Sequence, residues 1–188
     1  DERGAEIKDN PARYLKVKGT GDSRAPFFTD EDEKRLLYEL SQMSNQNHLR
    51  LTKLALTTGF RRSELLSLTW RNLDLTKNKI YVQRKECAVR GSSSSMRIVP
   101  LPSKAKILLR SFESKEGKVI PLTKGSARNG FDKARKRAGL DTLRFHDLRH
   151  IAISRMWSYG MNALEISACS GHRDIKMLMR YSHYQLTY

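Results

Sequence analysis

The sequence predicts a mainly α-helical domain with a small three-stranded antiparallel β-sheet. Three observations lead there. From residue 29 onward most apolar residues recur at intervals of three or four behind recognisable capping residues. One interval, residues 72–101, switches instead to short β-branched or alternating runs. Finally, 188 residues with 38% hydrophobic and 30% charged side chains suit one globular core rather than a disordered chain or a large multidomain assembly.

Taken in order, residues 1–28 contain Asn10-Pro11 and the Lys/Gly-rich run from Lys16 to Gly21, carry few periodic apolar positions, and read as a linker. The folded domain is expected over residues 29–188. Thr29 followed by Asp30, Glu31, Asp32 and Glu33 is an N-cap with an acidic first turn, suited to the positive end of a helix dipole, and Leu36, Leu37, Leu40 and Met43 supply the apolar stripe of a helix over residues 30–43. A second helix spans residues 48–57, Thr58-Gly59 breaks it, and a third starts at Arg62. Residues 72–74, 79–85 and 96–101 are the predicted strands, with residues 91–95 as a flexible hairpin tip. Ser103 opens a helix to about residue 112; residues 119–122 are extended; Ala127, Phe131, Ala134 and Ala138 keep helical spacing until Gly139. Helices over residues 146–159, 162–168 and 174–182 follow, interrupted at Gly160 and Gly171. Trp70 and Trp157 are expected in the core.

Composition narrows function. No apolar run approaches the ~18 residues that a membrane span needs, and residues 1–10 lack the apolar region of a signal peptide, so neither a membrane nor a secreted protein is expected. Cys87 and Cys169 form no CxxC pair, which argues against structural zinc or a disulfide framework and favours a reducing cytoplasm. The net charge of +16 favours a polyanionic partner, and the charge is uneven: residues 1–40 carry 8 basic against 10 acidic side chains, leaving +18 for the remainder. Charge alone does not separate a histone-like binder or a repressor from a nucleic-acid enzyme.

Chemistry does. Four of the five histidines follow residue 145, among arginines and tyrosines. In His146-Asp147-Leu148-Arg149 an imidazole and a guanidinium three residues apart share a helical face, where they suit a phosphate that also exchanges a proton. Standing alone, HxxR more often marks a helix-end histidine and a surface ion pair. It does not stand alone. Thr58-Gly59-Phe60-Arg61-Arg62-Ser63-Glu64-Leu65, Arg144-Phe145-His146-Asp147-Leu148-Arg149-His150, Ser170-Gly171-His172 and Tyr181-Ser182-His183 resemble, in order and spacing, the motifs of the tyrosine recombinase (phage integrase) family.

That resemblance covers residues 10–188 and implies the tyrosine recombinase catalytic-domain fold. It implies an enzyme that cuts and rejoins DNA through a 3′-phosphotyrosyl intermediate, with neither metal nor cofactor. By it, Arg61, His146, Arg149 and His172 are the phosphate-site groups and Tyr181 the nucleophile. Lys85 matches the lysine that protonates the leaving 5′-oxygen, although eleven residues, Glu86 to Met96, intervene before Arg97-Ile98-Val99-Pro100-Leu101. Glu64, three after Arg61, is expected to share its helical face and orient it. Arg62 and the helical cluster Lys133, Arg135, Lys136 and Arg137 are expected to contact DNA phosphates without reading bases; a solvated face is the alternative. Ser170 and Ile151 depart from the family's usual leucine and threonine, changes expected to affect packing rather than chemistry. His150 and His183 are expected to be structural or phosphate-adjacent, and Tyr184 and Tyr188 are weaker nucleophile candidates.

Tyr181 lies nine positions after His172, which on a straight helix would set them on opposite faces; Gly171 therefore suggests that His172 lies in the turn ahead of the helix. Further expectations follow from the resemblance: a phage or mobile-element integrase, double-stranded DNA as partner, a tetramer on DNA and a monomer or weak oligomer without it, and an N-terminal DNA-binding domain preceding the linker. So does a prokaryotic cytoplasm, at the nucleoid. A Xer-like resolvase or inversion recombinase, a type IB topoisomerase-like nicking-closing enzyme and a non-catalytic DNA-binding regulator are the alternatives.

Overall fold

The computed structural model describes residues 28–83, 96–113, 115–172 and 174–179. Among these residues eight α-helices and three strands follow one another as α1 Asp30–Ser41, α2 Asn47–Thr58, α3 Arg62–Ser67, a 3-10 turn at Trp70–Asn72, β1 Leu73–Asp74, β2 Lys79–Gln83, β3 Met96–Pro100, α4 Ser103–Arg110, α5 Lys124–Arg137, α6 Asp147–Ser158, α7 Ala163–Ser170 and α8 Lys176–Met179. Mainly helical with one small sheet is therefore the observed architecture. Local chemistry sets the boundaries. Thr29 and Asp32 form a reciprocal capping box at the start of α1, each side chain bonding the other's backbone N–H at 3.1 and 2.9 Å. Asn162 and Glu165 do the same for α7. Gly59 and Gly171, at φ of +65° and +74°, close α2 and α7 in the left-handed region that a side chain disfavours.

The sheet has strand order β1-β2-β3, antiparallel throughout, with Ile80 opposite Val99 and Val82 opposite Arg97. Ile80, Val82 and Val99 point inward. α2 is the central helix, packed against α1, α4, α5 and α6; its Leu51, Leu54 and Ala55 join Leu36, Leu65, Leu109, Leu148 and Ile153 in one core. Trp157 is buried and Trp70 packs edge-on against Phe112, so both belong to packing. The helix expected to reach residue 112 ends at Arg110, and Phe112 enters the core from the following turn. Residues 119–122 form no strand: Val119 bonds the Leu68 carbonyl at 2.9 Å, but Pro121 has no N–H to continue a ladder. Residues 1–27, the hairpin tip at 91–95, Lys85 and Tyr181 lie outside the described residues. No helix among the described residues is long and apolar enough to cross a membrane.

Candidate active site

Where α2 ends, Gly59 turns the chain and Arg61 follows in extended backbone, at φ −66° and ψ 145°, as the N-cap of α3. Arg61 thus precedes the helix rather than sharing a helical face with Glu64, as the sequence had suggested. The two meet through cap geometry: Glu64 Oε2 accepts the Arg61 backbone N–H at 2.9 Å and Oε1 accepts from Arg61 Nη1 at 3.2 Å. A second guanidinium, which the sequence reading passed over, comes from β3. Arg97 is only 8% exposed and donates Nη1 to Oε1 at 2.8 Å and Nη2 to Oε2 at 3.2 Å. Burial pushes the Glu64 carboxyl up, but the Arg97 hydrogen bond and charge, the Arg61 backbone N–H and the Arg61 charge outweigh it and hold the group below the usual carboxylate range. The signal for Arg97 was present in β3, where inward positions alternate and Arg97 shares its face with Val99.

Arg149, near the start of α6, is 3% exposed. Its Nη1 donates to the Gly59 carbonyl at 2.8 Å, so the break that ends α2 also anchors this arginine. Its Nη2 lies 3.2 and 3.3 Å from the two ring nitrogens of His172. That histidine sits in the turn after Gly171, held by the Ser167 hydroxyl, which donates to its carbonyl at 2.7 Å. Ser170 Oγ lies 2.6 Å from the Ile166 carbonyl and 2.7 Å from His172 Nδ1. A hydroxyl has one proton. If that proton goes to the carbonyl, Nδ1 carries the ring's proton and donates it to Ser170, leaving Nε2 to accept from Arg149. Ser170 therefore contacts the His172 ring as well as packing in the core, more than the packing role expected of its departure from the family pattern.

Burial and the charges of Arg149, Arg61, His150 and His146 push His172 down to about 4, so it is neutral near pH 7. His146, at the N-terminus of α6, is lowered by desolvation and by Arg149, against an opposing pull from Asp147, with Arg61 adding to the lowering. Its ring meets His150 edge-on at 5.1 Å. Arg61 Nη2 reaches toward the Gly171 carbonyl at 3.5 Å. Arg61, His146, Arg149 and His172 thus converge from three separate stretches of chain around one cationic pocket, with Glu64 bonded to Arg61 and Asp147 beside His146 as its acidic neighbours. Such a pocket presents fixed N–H donors and neutral imidazoles to an oxyanion.

Other sequence candidates lie elsewhere. The Arg62 guanidinium stacks over the Phe145 ring at 5.8 Å. α5 packs on α1 and α2. On it Lys133 and Lys136 are exposed, whereas Arg135 Nε donates to Asp132 at 2.8 Å and its Nη1 donates to the Asp141 carbonyl. Arg137 lines a recess with Glu31 and Glu39. Among the described residues no cluster of His, Cys, Asp and Glu could hold a metal ion.

Against known proteins, the model of the phage integrase family matches residues 26–187. A shufflon-specific DNA recombinase of Escherichia coli is 32% identical over 94% of this chain and 44% of its own length. The solved catalytic domain of bacteriophage HP1 integrase superposes with a TM-score of 0.69 at 27% identity, covering 86% of this chain and 89% of that one. The XerH site-specific recombinase bound to its difH substrate in a pre-cleavage complex shares the fold, with a TM-score of 0.63 at 19% identity over 84% of this chain and half of that one. The chain spans about half the length of the curated relatives it matches.

Proposed function

The chain belongs to the phage integrase family of tyrosine recombinases, and from that premise we propose that it is the catalytic part of a site-specific DNA recombinase, an integrase of a phage or mobile element. Residues 29–188 form its catalytic domain and residues 1–28 lead in from an N-terminal DNA-binding domain. Double-stranded DNA carrying a recombination site is the partner, bound by a tetramer, in the cytoplasm of a prokaryotic host at its nucleoid. The observation that supports this reading is the convergence of Arg61, Arg149, His146 and His172 on one pocket.

The chemistry follows from the groups. The Tyr181 phenol oxygen attacks the phosphorus, and the bond to the 5′-oxygen breaks. Lys85 protonates that oxygen as it leaves, while the phenol's proton passes to a neighbouring base. Charge building on the non-bridging oxygens is met by the Arg61 and Arg149 forks and by the two imidazoles. Because a phenoxide is itself a good leaving group, an incoming DNA 5′-hydroxyl reverses the step and restores a phosphodiester without an external energy source. Arg62, Lys133, Lys136 and Arg137 would hold the duplex by its phosphates.

A pool of random duplexes incubated with the protein, denatured and sequenced from the protein-linked fraction tests this directly. One recurring sequence, attached through Tyr181 by peptide mapping, is expected; Tyr181→Phe should bind the captured duplex with nearly unchanged affinity and form no adduct. Adduct from the Phe variant would move the nucleophile to Tyr184 or Tyr188, and no adduct from the parent would leave the DNA-binding regulator. The shufflon relative favours a second reading, inversion within one DNA molecule. Captured sequences that occur as inverted pairs flanking one segment would select it over integration.

A further inference from the structure

Glu64 has about four acceptor sites on its two oxygens, and all four are taken: two by Arg97, one by the Arg61 guanidinium and one by the Arg61 backbone N–H. Arg97 is held in place for this. It is buried, its guanidinium lies 5.3 Å from the Phe60 ring centroid, and it presses on Gly171, where a Cβ would come within 2.6 Å of Nη1. Its Nε has no hydrogen-bond partner among the described residues, a desolvation cost that nothing repays. A group held at that cost, too buried to reach DNA, acts through its neighbours. Arg61, by contrast, keeps 41% of its side chain exposed.

Resting on the recombinase reading, we propose that Arg97 is a positioning residue for strand cleavage. By occupying two acceptor sites of Glu64, it limits Arg61 to a single guanidinium bond with that carboxylate and leaves the rest of the Arg61 fork for the phosphodiester. Without Arg97, a buried carboxylate would draw in the nearest remaining cation, and Arg61 would turn from the substrate to form a bidentate pair with Glu64. Arg97 also braces Gly171, whose neighbour His172 faces the same phosphate, so one strand residue sets two groups of the site.

The test measures adduct formation on a nicked duplex bearing the captured sequence. Arg97→Met should slow it by about 30-fold, less than the ~100-fold or more of losing an oxyanion donor outright because Arg61 is misdirected rather than removed, while affinity for the duplex changes less than about twofold because Arg97 is buried. The decisive result is the double variant: adding Glu64→Gln, which removes the competing charge, should recover at least about fivefold, an interaction of opposite sign to the effect of Glu64→Gln alone. A loss of mere packing would not be relieved by a second substitution in the same network. If Arg97→Met does not fold, Arg97→Lys carries the same reading: an ammonium lacks the planar fork that matches both oxygens, so Glu64 is held less fully, cleavage falls and Glu64→Gln relieves it. Folded variants that cleave at the parent rate, or a loss that Glu64→Gln does not relieve, overturn the role of Arg97 alone. A parent protein that forms no adduct overturns the recombinase reading and this role together.

Discussion

His172 shows how a single residue's surroundings set its chemistry. Burial first, and then the charges of Arg149, Arg61, His150 and His146, hold it neutral down to about pH 4. Because the folded value lies below the unfolded one, near 6.5, the unfolded chain binds more protons below that pH. Stability is therefore fully present above about pH 6.5 and declines as pH falls toward 4, at up to about 1.4 kcal/mol per pH unit for each such histidine. His146 and His48 shift in the same direction. Glu64 is lowered as well, so its own loss begins only below the ordinary carboxylate value of 4.5, and melting between pH 7 and 5 isolates the histidines. His172→Gln should flatten that slope; an unchanged slope would mean that His172 is not the group held neutral. Ser170→Ala should leave Nδ1 without its oxygen, freeing the imidazole to change tautomer, and slow adduct formation about tenfold with little effect on DNA affinity. Equal rates would exclude a role for the hydroxyl. Arg61, His146, Arg149 and His172, which the fold brings together, were legible in the sequence because their motifs are contiguous. Arg97 and Ser170 were not, because what defines them is a partner 33 residues away in one case and a proton's direction in the other.

At the scale of elements, two glycines of α5 separate propensity from packing. Gly125 lies in the first turn, where an added Cβ would meet only the Thr123 hydroxyl at 4.0 Å; Gly130 lies mid-helix, where the same atom would come within 2.3 Å of the His48 ring. Helix propensity alone favours alanine at both by up to about 1 kcal/mol. Chemical denaturation should find Gly125→Ala neutral or slightly stabilising. Gly130→Ala should instead cost about 2 kcal/mol, because α2 and α5 must separate or His48 must leave its site. A stabilised Gly130→Ala would show that this contact yields freely. The same contrast explains what could be read from the sequence. α1, α2 and α7 were legible because caps and breakers are local: Thr29 with Asp32, Gly59, and Asn162 with Glu165. The end of α4 was not, since Ala105, Leu109 and Phe112 keep helical spacing while tertiary contact with Trp70 draws Phe112 out of the helix. By helix propensity alone Gly130 is a weak point, and only the approach of His48 gives its missing side chain a reason.

For the whole molecule, the charge of +16 divides into parts with different work. Arg97 is buried against Glu64, and Arg135 is bound to Asp132 and to the Asp141 carbonyl. These cations are occupied inside the protein and release few counterions when DNA arrives. Lys133 and Lys136 are exposed on α5 and remain available to phosphates. Net charge therefore overstates the binding footprint, and salt dependence measures the difference. Each phosphate contact contributes about 0.9 to the slope of log affinity against log salt on duplex DNA. Titrating a fluorescent duplex of unrelated sequence from 50 to 200 mM salt should give a steep slope for the parent. Lys133→Ala with Lys136→Ala should lower that slope by about 1–2. Arg135→Ala should leave it unchanged, because its guanidinium is already spent. If Arg135→Ala lowers the slope as much as the two lysines do, Arg135 exchanges its internal partners for phosphate on binding, and the α5 face is remodelled by DNA rather than presented to it ready-made.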